Sequence, residues 1–133
     1  MKGHTTAYRL TGGLVGHRVP FAPPSLLLDH IGAKTGAVRT TPLTYLTDGD
    51  NFVLVASKGG NPKNPAWYHN LRAHPDVIVQ VGSKRVAVVA RVATADERKR
   101  LWPKVVDLYG GYADYQRRTK REIPLVILEP RRE

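Results

Sequence analysis

Lys34-Thr35-Gly36-Ala37-Val38-Arg39-Thr40 gathers two cations and two hydroxyls around a glycine turn. Such side chains, together with free backbone N–H groups in the turn, can recognise an anion such as a phosphate. An ordinary basic hairpin turn would use the same residues. A second stretch, Ala56-Ser57-Lys58-Gly59-Gly60-Asn61-Pro62, ends a strand in small residues that let a flat ligand approach the backbone. It has neither the Rossmann glycine pattern nor Walker spacing. The segment after it carries Trp67, Tyr68 and Asn70, and a flexible loop followed by a core tryptophan would look the same. Tyr109, Tyr112 and Tyr115 are spaced by three, so on a helix their phenols form one drifting stripe. That stripe is either a wall for a polar aromatic ligand or simply helix packing.

Other chemistries lack their residues. The absence of Cys removes disulfides, thiolate zinc sites, iron–sulfur clusters and a cysteine nucleophile. None of the three serines, Ser25, Ser57 and Ser83, sits in a Gly-x-Ser-x-Gly elbow. His4, His17, His30, His69 and His74 show no metal-ligand spacing and read as surface or packing residues. Asp48 and Asp50 suit a hairpin turn, and Asp96 with Glu97 suits the first turn of a helix. No metal is expected.

The three stretches need short elements to position them. Twelve glycines and ten prolines in 133 residues predict many turns and argue against a helical bundle. Strand-like runs cover Leu26 to Ile31, Arg39 to Leu46 and Phe52 to Ser57, giving two successive hairpins that turn at residues 32–36 and at Asp48-Gly49-Asp50-Asn51. Asn64 as N-cap and Pro65 at the first helical position open a helix through Leu71, ended by His74-Pro75. Val77 to Val81 and Val86 to Val92 flank a Gly82-Ser83 turn, and Thr94 with Glu97 forms a capping box for a second helix. Pro103 kinks that helix or starts a new segment, Gly110-Gly111 break the chain before Tyr112 to Arg118, and Ile123 to Leu128 is a last strand. The expected fold is mainly β (α+β), a small barrel of about six mostly antiparallel strands with short flanking helices. Residues 1–24 read as a basic, proline-ending arm ahead of one domain spanning 25–133.

With 21 Lys and Arg against 11 Asp and Glu, the net charge of +10 should attract anions: nucleic acid, an acidic membrane surface or an acidic small molecule. Apolar runs fall far short of the ~20 residues of a membrane-spanning helix, and a soluble, cytoplasmic protein is expected. A non-enzymatic nucleic-acid-binding module remains an alternative, although the cations are spread along the chain and the tyrosines fit no RNA-recognition pattern.

Taken in order, Lys34-Thr35-Gly36-x-x-Arg39-Thr40-x-Pro42-Leu43, Val55-Ala56-Ser57-Lys58-Gly59-Gly60, Asn64-Pro65-x-Trp67-Tyr68-x-Asn70-Leu71 and Tyr112-Ala113-Asp114-Tyr115-Gln116 resemble the deazaflavin-dependent nitroreductases. These are split β-barrel proteins that use the 8-hydroxy-5-deazaflavin coenzyme F420. The resemblance covers about residues 25–129. It implies that Ala33, Lys34, Thr35, Arg39, Thr40, Thr41, Pro42, Leu43, Thr44 and Tyr45 hold the coenzyme's phosphate and acidic tail. It further implies that Val55, Ala56, Ser57 and Lys58 lie along the ring and that Ala66, Trp67, Tyr68, Asn70 and Tyr112 also touch the cofactor. Tyr109, Tyr115, Ser57 and Trp67 match substrate-pocket positions. The implied reaction passes a hydride from the reduced coenzyme to a quinone or nitro-substituted acceptor, with Tyr112, Tyr115 or Ser57 assisting. An FMN-binding split barrel would share the fold and a basic phosphate site. A homodimer is the oligomer expected by analogy, and a peripheral membrane contact through the basic arm would suit a lipid-dissolved quinone. The Arg117 to Arg121 cluster reads first as solvated surface and second as a membrane contact.

Overall fold

The structure is a computed structural model in which residues 24–131 are described. Residues 1–23 of the expected arm lie outside the described part. Strands β1 (Ser25–Ile31), β2 (Val38–Thr44), β3 (Leu46–Asp48), β4 (Asn51–Val55), β5 (Asp76–Val81), β6 (Lys84–Val92) and β7 (Leu125–Pro130) form a single sheet. Its order is β2-β1-β5-β6-β7-β4-β3, and every neighbouring pair is antiparallel. Helix α1 (Ala66–Ala73) follows a 3-10 turn at Lys58–Gly60, and α2 (Ala95–Leu108) and α3 (Gly111–Arg118) lie between β6 and β7. This is the split-barrel, mainly β architecture expected, with seven described strands instead of about six.

The extra strand comes from Tyr45, which interrupts the expected Arg39 to Leu46 run. Its N–H donates to the carbonyl of Pro24 at 3.2 Å, and its buried ring packs edge-on against Phe52, 5.6 Å between centroids. The chain therefore turns a corner at Tyr45, leaving β2 on one edge of the sheet and starting β3 on the other. The sheet curls so that β2 comes close to β4, but the two are not hydrogen-bonded neighbours. This seam is the split in the barrel.

Two cores follow from the curl. Leu26, Leu28, Leu54, Val79, Val88 and Leu128 fill the inside, where Trp67, Tyr68 and Leu71 of α1 close one end. On the outer face of β4 and β7, Val53, Val55, Leu125 and Ile127 pack against Leu101 and Val105 of α2, with Tyr112 of α3. β4 and β7 are thus buried on both faces, which explains why they read as continuous apolar runs. Each fully buried leucine contributes roughly 1.5–3 kcal/mol.

Two helix details differ from expectation. Pro65, at φ −65° and ψ 153°, is itself the N-cap of α1, because the Asn64 side chain accepts a hydrogen bond from Arg121 at 2.8 Å and so does not cap the helix. α2 runs through Pro103 without a break. Pro103 lies on the exposed side, while Leu101 and Val105 anchor the buried side. Among the described residues no helix is long and apolar enough to cross a membrane.

The start of α2 is fixed by the expected capping box: Glu97 N–H donates to Thr94 Oγ1 at 3.2 Å, and Thr94 N–H to Glu97 Oε1 at 3.0 Å. Arg91 of β6 donates to both Glu97 oxygens at 2.6 and 2.8 Å and to Glu129 of β7 at 2.7 Å. The Arg91 guanidinium, helped by Thr94, holds the Glu97 carboxyl down at about 2 from its ordinary 4.5. A carboxyl depressed on folding stabilises the fold above pH 4.5, and that contribution is lost as pH falls toward 2. Thermal melts should show a drop in midpoint across that acid window that is shallower in Glu97→Gln, while Thr94→Ala should cost about 1 kcal/mol at neutral pH.

Candidate functional site

β3 begins only at Leu46, opposite Val53, so Leu54 and Val55 pair only with β7 and face β2 across the seam. A cavity of about 240 Å³ opens there, lined by Pro42, Leu43 and Thr44 of β2, Leu54 and Val55 of β4, and Ser57, Trp67 and Tyr112. Its exposed lining is more polar than apolar, with the hydroxyl-bearing Thr44, Ser57 and Tyr112 set among Pro42, Leu43 and Trp67, a mixture that suits a ring with polar edges. Tyr112 is buried and hydrogen-bonded to Thr44, and burial pushes its phenol up to about 12, so it is a neutral hydrogen-bonding group near pH 7.

A second cavity, of about 370 Å³, is lined by Gly32, Ala33, Lys34, Thr35, Arg39, Ala66, His69 and Asn70. Ala66 of this pocket and Trp67 of the seam are consecutive residues at the start of α1, so that helix contributes to the walls of both cavities. Lys34 and Arg39 are both exposed at this pocket and could hold an anion there.

The turn supplies fewer donors than expected. Gly32 N–H donates to Ala37 O at 2.8 Å, Gly36 N–H to Gly32 O at 2.8 Å, and Ala37 N–H to Thr35 Oγ1 at 3.2 Å. Among the described residues, the amides of Lys34 and Thr35 are the turn donors left for an anion. The Thr40 hydroxyl donates to Asp29 at 2.6 Å, because strand alternation turns Thr40 to the sheet face opposite Arg39.

The position of the second cavity depends on a residue that spacing alone read as surface or packing. His30 is 3% exposed. Ala33 N–H donates to Asn70 Oδ1 at 2.9 Å, which turns the Asn70 amide nitrogen to donate to His30 Nδ1, also at 2.9 Å. His30 Nε2–H then donates to Thr41 Oγ1 at 2.9 Å. The relay ties the anion turn to α1 and β2 and requires neutral His30 with its proton on Nε2. Burial, and next the Arg39 charge, hold His30 below its ordinary 6.5. Sequence spacing could not have found this, since its partners lie 11 and 40 residues away.

The remaining candidate residues fall as follows. Thr41 serves the relay, Tyr45 the corner, and Ala56 and Tyr68 the inner core. Lys58 is in the 3-10 turn, exposed and outside both cavities. Tyr109, Tyr112 and Tyr115 do form one cluster, with centroids 5.1 to 6.3 Å apart and the Tyr109 and Tyr115 hydroxyls 3.2 Å from each other. Only Tyr112 of the three lines the seam cavity, and Leu54 and His69 join the cavity walls without having been expected. Among the described residues no cluster of His, Asp or Glu could hold a metal ion.

The family model described as F420H(2)-dependent quinone reductase matches residues 1–130. The chain belongs to this family. It is 51% identical over 131 residues to an F420H(2)-dependent quinone reductase of Mycobacterium tuberculosis (strain ATCC 25618 / H37Rv), covering 96% of this chain and 88% of that protein. Among solved structures it is similar to an F420-H2 dependent reductase, FDR-A, at TM-score 0.73 and 42% identity, over 80% of this chain and 94% of that one. A second structure, titled as a domain-swapped dimer, matches at TM-score 0.75 and 36% identity, over 96% and 95% of the two chains. The residues present are chemically compatible with the coenzyme of this quinone reductase family: Trp67, Pro42 and Leu43 with three hydroxyl-bearing residues line the seam, and Lys34 and Arg39 line the second cavity.

A histidine lowered on folding contributes stability above its ordinary 6.5, lost as pH falls from there through its native value. The melting temperature of this quinone reductase should therefore decline on acidification below pH 6.5, and His30→Gln should flatten that decline. His30→Phe, which leaves the Asn70 amide nitrogen unpaired, should cost roughly 1–3 kcal/mol at neutral pH.

Proposed function

We propose that the seam cavity holds the deazaflavin ring of reduced F420, that Lys34 and Arg39 hold its phosphate and acidic tail, and that the acceptor, a quinone or nitro-substituted compound, sits beside Tyr112. The observation that carries this reading is that the start of α1 contributes to both cavities, Trp67 to the seam with its three hydroxyl-bearing residues and Ala66 to the pocket lined by Lys34 and Arg39. When bound, the coenzyme supplies the hydride, so the protein needs no nucleophile or metal of its own.

The side chains then have three tasks. Trp67, Pro42 and Leu43 flank the ring and exclude water, which strengthens every hydrogen bond inside the slot. Lys34 and Arg39 fix the tail and so the ring's register along the seam, converting an encounter into an oriented complex. Tyr112 and Ser57 are hydroxyl-bearing residues of the slot's lining. Reduction of a quinone needs a proton as well as a hydride, and a phenol raised to about 12 favours donating a hydrogen bond over losing its proton. In this reading Tyr115, outside the cavity lining but with its hydroxyl 3.2 Å from that of Tyr109, bonds the acceptor oxygen from the outer side of the cluster.

Further partners belong to this reading. One similar solved structure is titled a domain-swapped dimer. A homodimer of this chain would appear in sedimentation velocity as a species of twice 14.8 kDa. The net charge of +10 supports contact with an acidic lipid surface, and cosedimentation with anionic vesicles should weaken when residues 1–24 are removed.

The double variant Lys34→Ala/Arg39→Ala should weaken F420 binding, measured by fluorescence titration, by at least about tenfold, since two charge-assisted contacts are removed. Unchanged affinity would sink the anchoring role. Tyr112→Phe and Tyr115→Phe should lower quinone and nitroaromatic turnover by about tenfold or more while leaving coenzyme affinity nearly intact. A bound chromophore with the absorption of FMN would replace the coenzyme assignment.

A further inference from the structure

The loop from Ser57 to Asn64 is held in an unusual backbone. Lys58, Gly59 and Gly60 take φ of 45°, 62° and 80° in succession, and Lys58 is the non-glycine residue with positive φ among the described residues. Left-handed conformations in a row do not persist without outside support, least of all at a lysine. One support is packing: Gly60 is buried against α3, and a Cβ there would sit 2.7 Å from the Tyr115 carbonyl oxygen and 3.0 Å from Arg118 Cβ.

The other support is Arg121, just beyond α3. Its Nη2 donates to the Ser57 carbonyl at 2.8 Å, its Nε to the Asn61 carbonyl at 2.9 Å, and its Nη1 to Asn64 Oδ1 at 2.8 Å. Three donors of one guanidinium thus grip the loop on both sides of the turn. Arg121 is half-buried, and burial holds its guanidinium below the ordinary arginine value. Its three bonds all go to neutral oxygens, and among the described residues no ion pair offsets its charge. Arg121 is itself fixed, because Gln116 Nε2–H donates to the Arg121 carbonyl at 2.8 Å and Ile123 N–H donates to Gln116 Oε1 at 2.9 Å. The expected solvated cluster at 117–121 therefore contains a structural clasp.

The two sides of the clasp carry different parts of the site. The loop begins at Ser57, which lines the seam cavity, and α3 carries Tyr112 and Tyr115. We propose that Arg121 is a positioning residue for the reductase reaction: its fork locks the Ser57–Asn64 loop to the end of α3 and so sets the spacing between the cofactor-side wall and the acceptor-side tyrosines. This rests on the functional reading above, which places ring and acceptor on those two sides. A lysine carries the same charge but cannot present three donors in a planar fork, so the role belongs to the geometry of arginine and not to its charge.

Arg121→Lys is the deciding variant, with Asn64→Ala, which removes one acceptor, as a milder companion that stands in should Arg121→Lys not fold. Hydrogen exchange on the apoprotein reads the clasp without coenzyme: the amides of Gly60 and Asn61, which donate to Ser57 O at 3.0 Å and Lys58 O at 3.1 Å, should exchange faster, while those of α2 keep their protection. With coenzyme, kcat for a quinone such as menadione should fall at least about tenfold while F420 affinity stays within about threefold, since misplacement of reacting groups acts on the chemical step. Wild-type exchange at Gly60 and Asn61, or wild-type kcat with exchange accelerated, would overturn the proposal, as would parallel losses of kcat and F420 affinity. If the wild-type chain fails to bind F420, the functional reading falls and takes the catalytic part of this proposal with it, while the exchange result still decides whether the clasp exists.

Discussion

A barrel that does not close is the constraint on which the rest of this molecule depends. Had β2 paired with β4, their backbone groups would have bonded each other and the space between Pro42 and Val55 would have been filled by a ladder. Closure is prevented at Tyr45, whose N–H is taken by Pro24 and whose ring locks onto Phe52. β3 begins only at Leu46, opposite Val53, so β4 has no strand on that side beyond Val53. Pro42 lies along β2 where a proline's missing N–H costs little, because β2 is an edge strand whose partner is β1. The seam is then walled by the three elements that can reach it: the loop after β4, the start of α1, and α3.

The sequence exposed the local half of this arrangement. Alternation and turn residues marked the hairpins, and Thr94 with Glu97 marked the start of α2, because each of those signals is complete within a few residues. The four motifs also fall around the two cavities, as residues such as Pro42, Ser57, Trp67 and Tyr112 show. What could not be read were the features created by long-range contact. The corner at Tyr45 depends on Pro24, 21 positions earlier, and the loss of Asn64 as a cap depends on Arg121, 57 positions later. His30 looked like one scattered histidine among five because its partners, Thr41 and Asn70, reach it only in the fold. The run Leu125 to Leu128 gave a strand but not the two-faced burial that makes it central.

The positive excess sorts itself by partner. Arg85, Arg91, Arg98, Arg100, Arg117 and Arg131 each reach a carboxylate. Exposed pairs of this kind add little stability individually, but they satisfy the charges and leave them poor anchors for a ligand. Arg121 donates only to neutral oxygens of the glycine loop. Lys34 and Arg39 have no carboxylate partner among the described residues, and they flank one pocket. A high net charge by itself argued equally for nucleic acid, membrane or an acidic small molecule; cations such as Lys58, Lys63, Lys84 and Lys120 also lack an ion pair among the described residues, and what sets Lys34 and Arg39 apart is that they line one built cavity.

That pocket is also set before any ligand arrives. Its floor depends on His30 staying neutral, since only the neutral ring can both accept from Asn70 and donate to Thr41. Two effects keep it neutral, and burial is the larger, with the Arg39 charge second. An anion settling on Arg39 would cancel only the smaller effect and leave burial in place. The donor order from Ala33 through Asn70 and His30 to Thr41 therefore survives occupancy, and the turn bearing Lys34 need not be reorganised on binding. In the proposed complex, binding free energy that would otherwise go into ordering the loop is left to hold the ring in register along the seam.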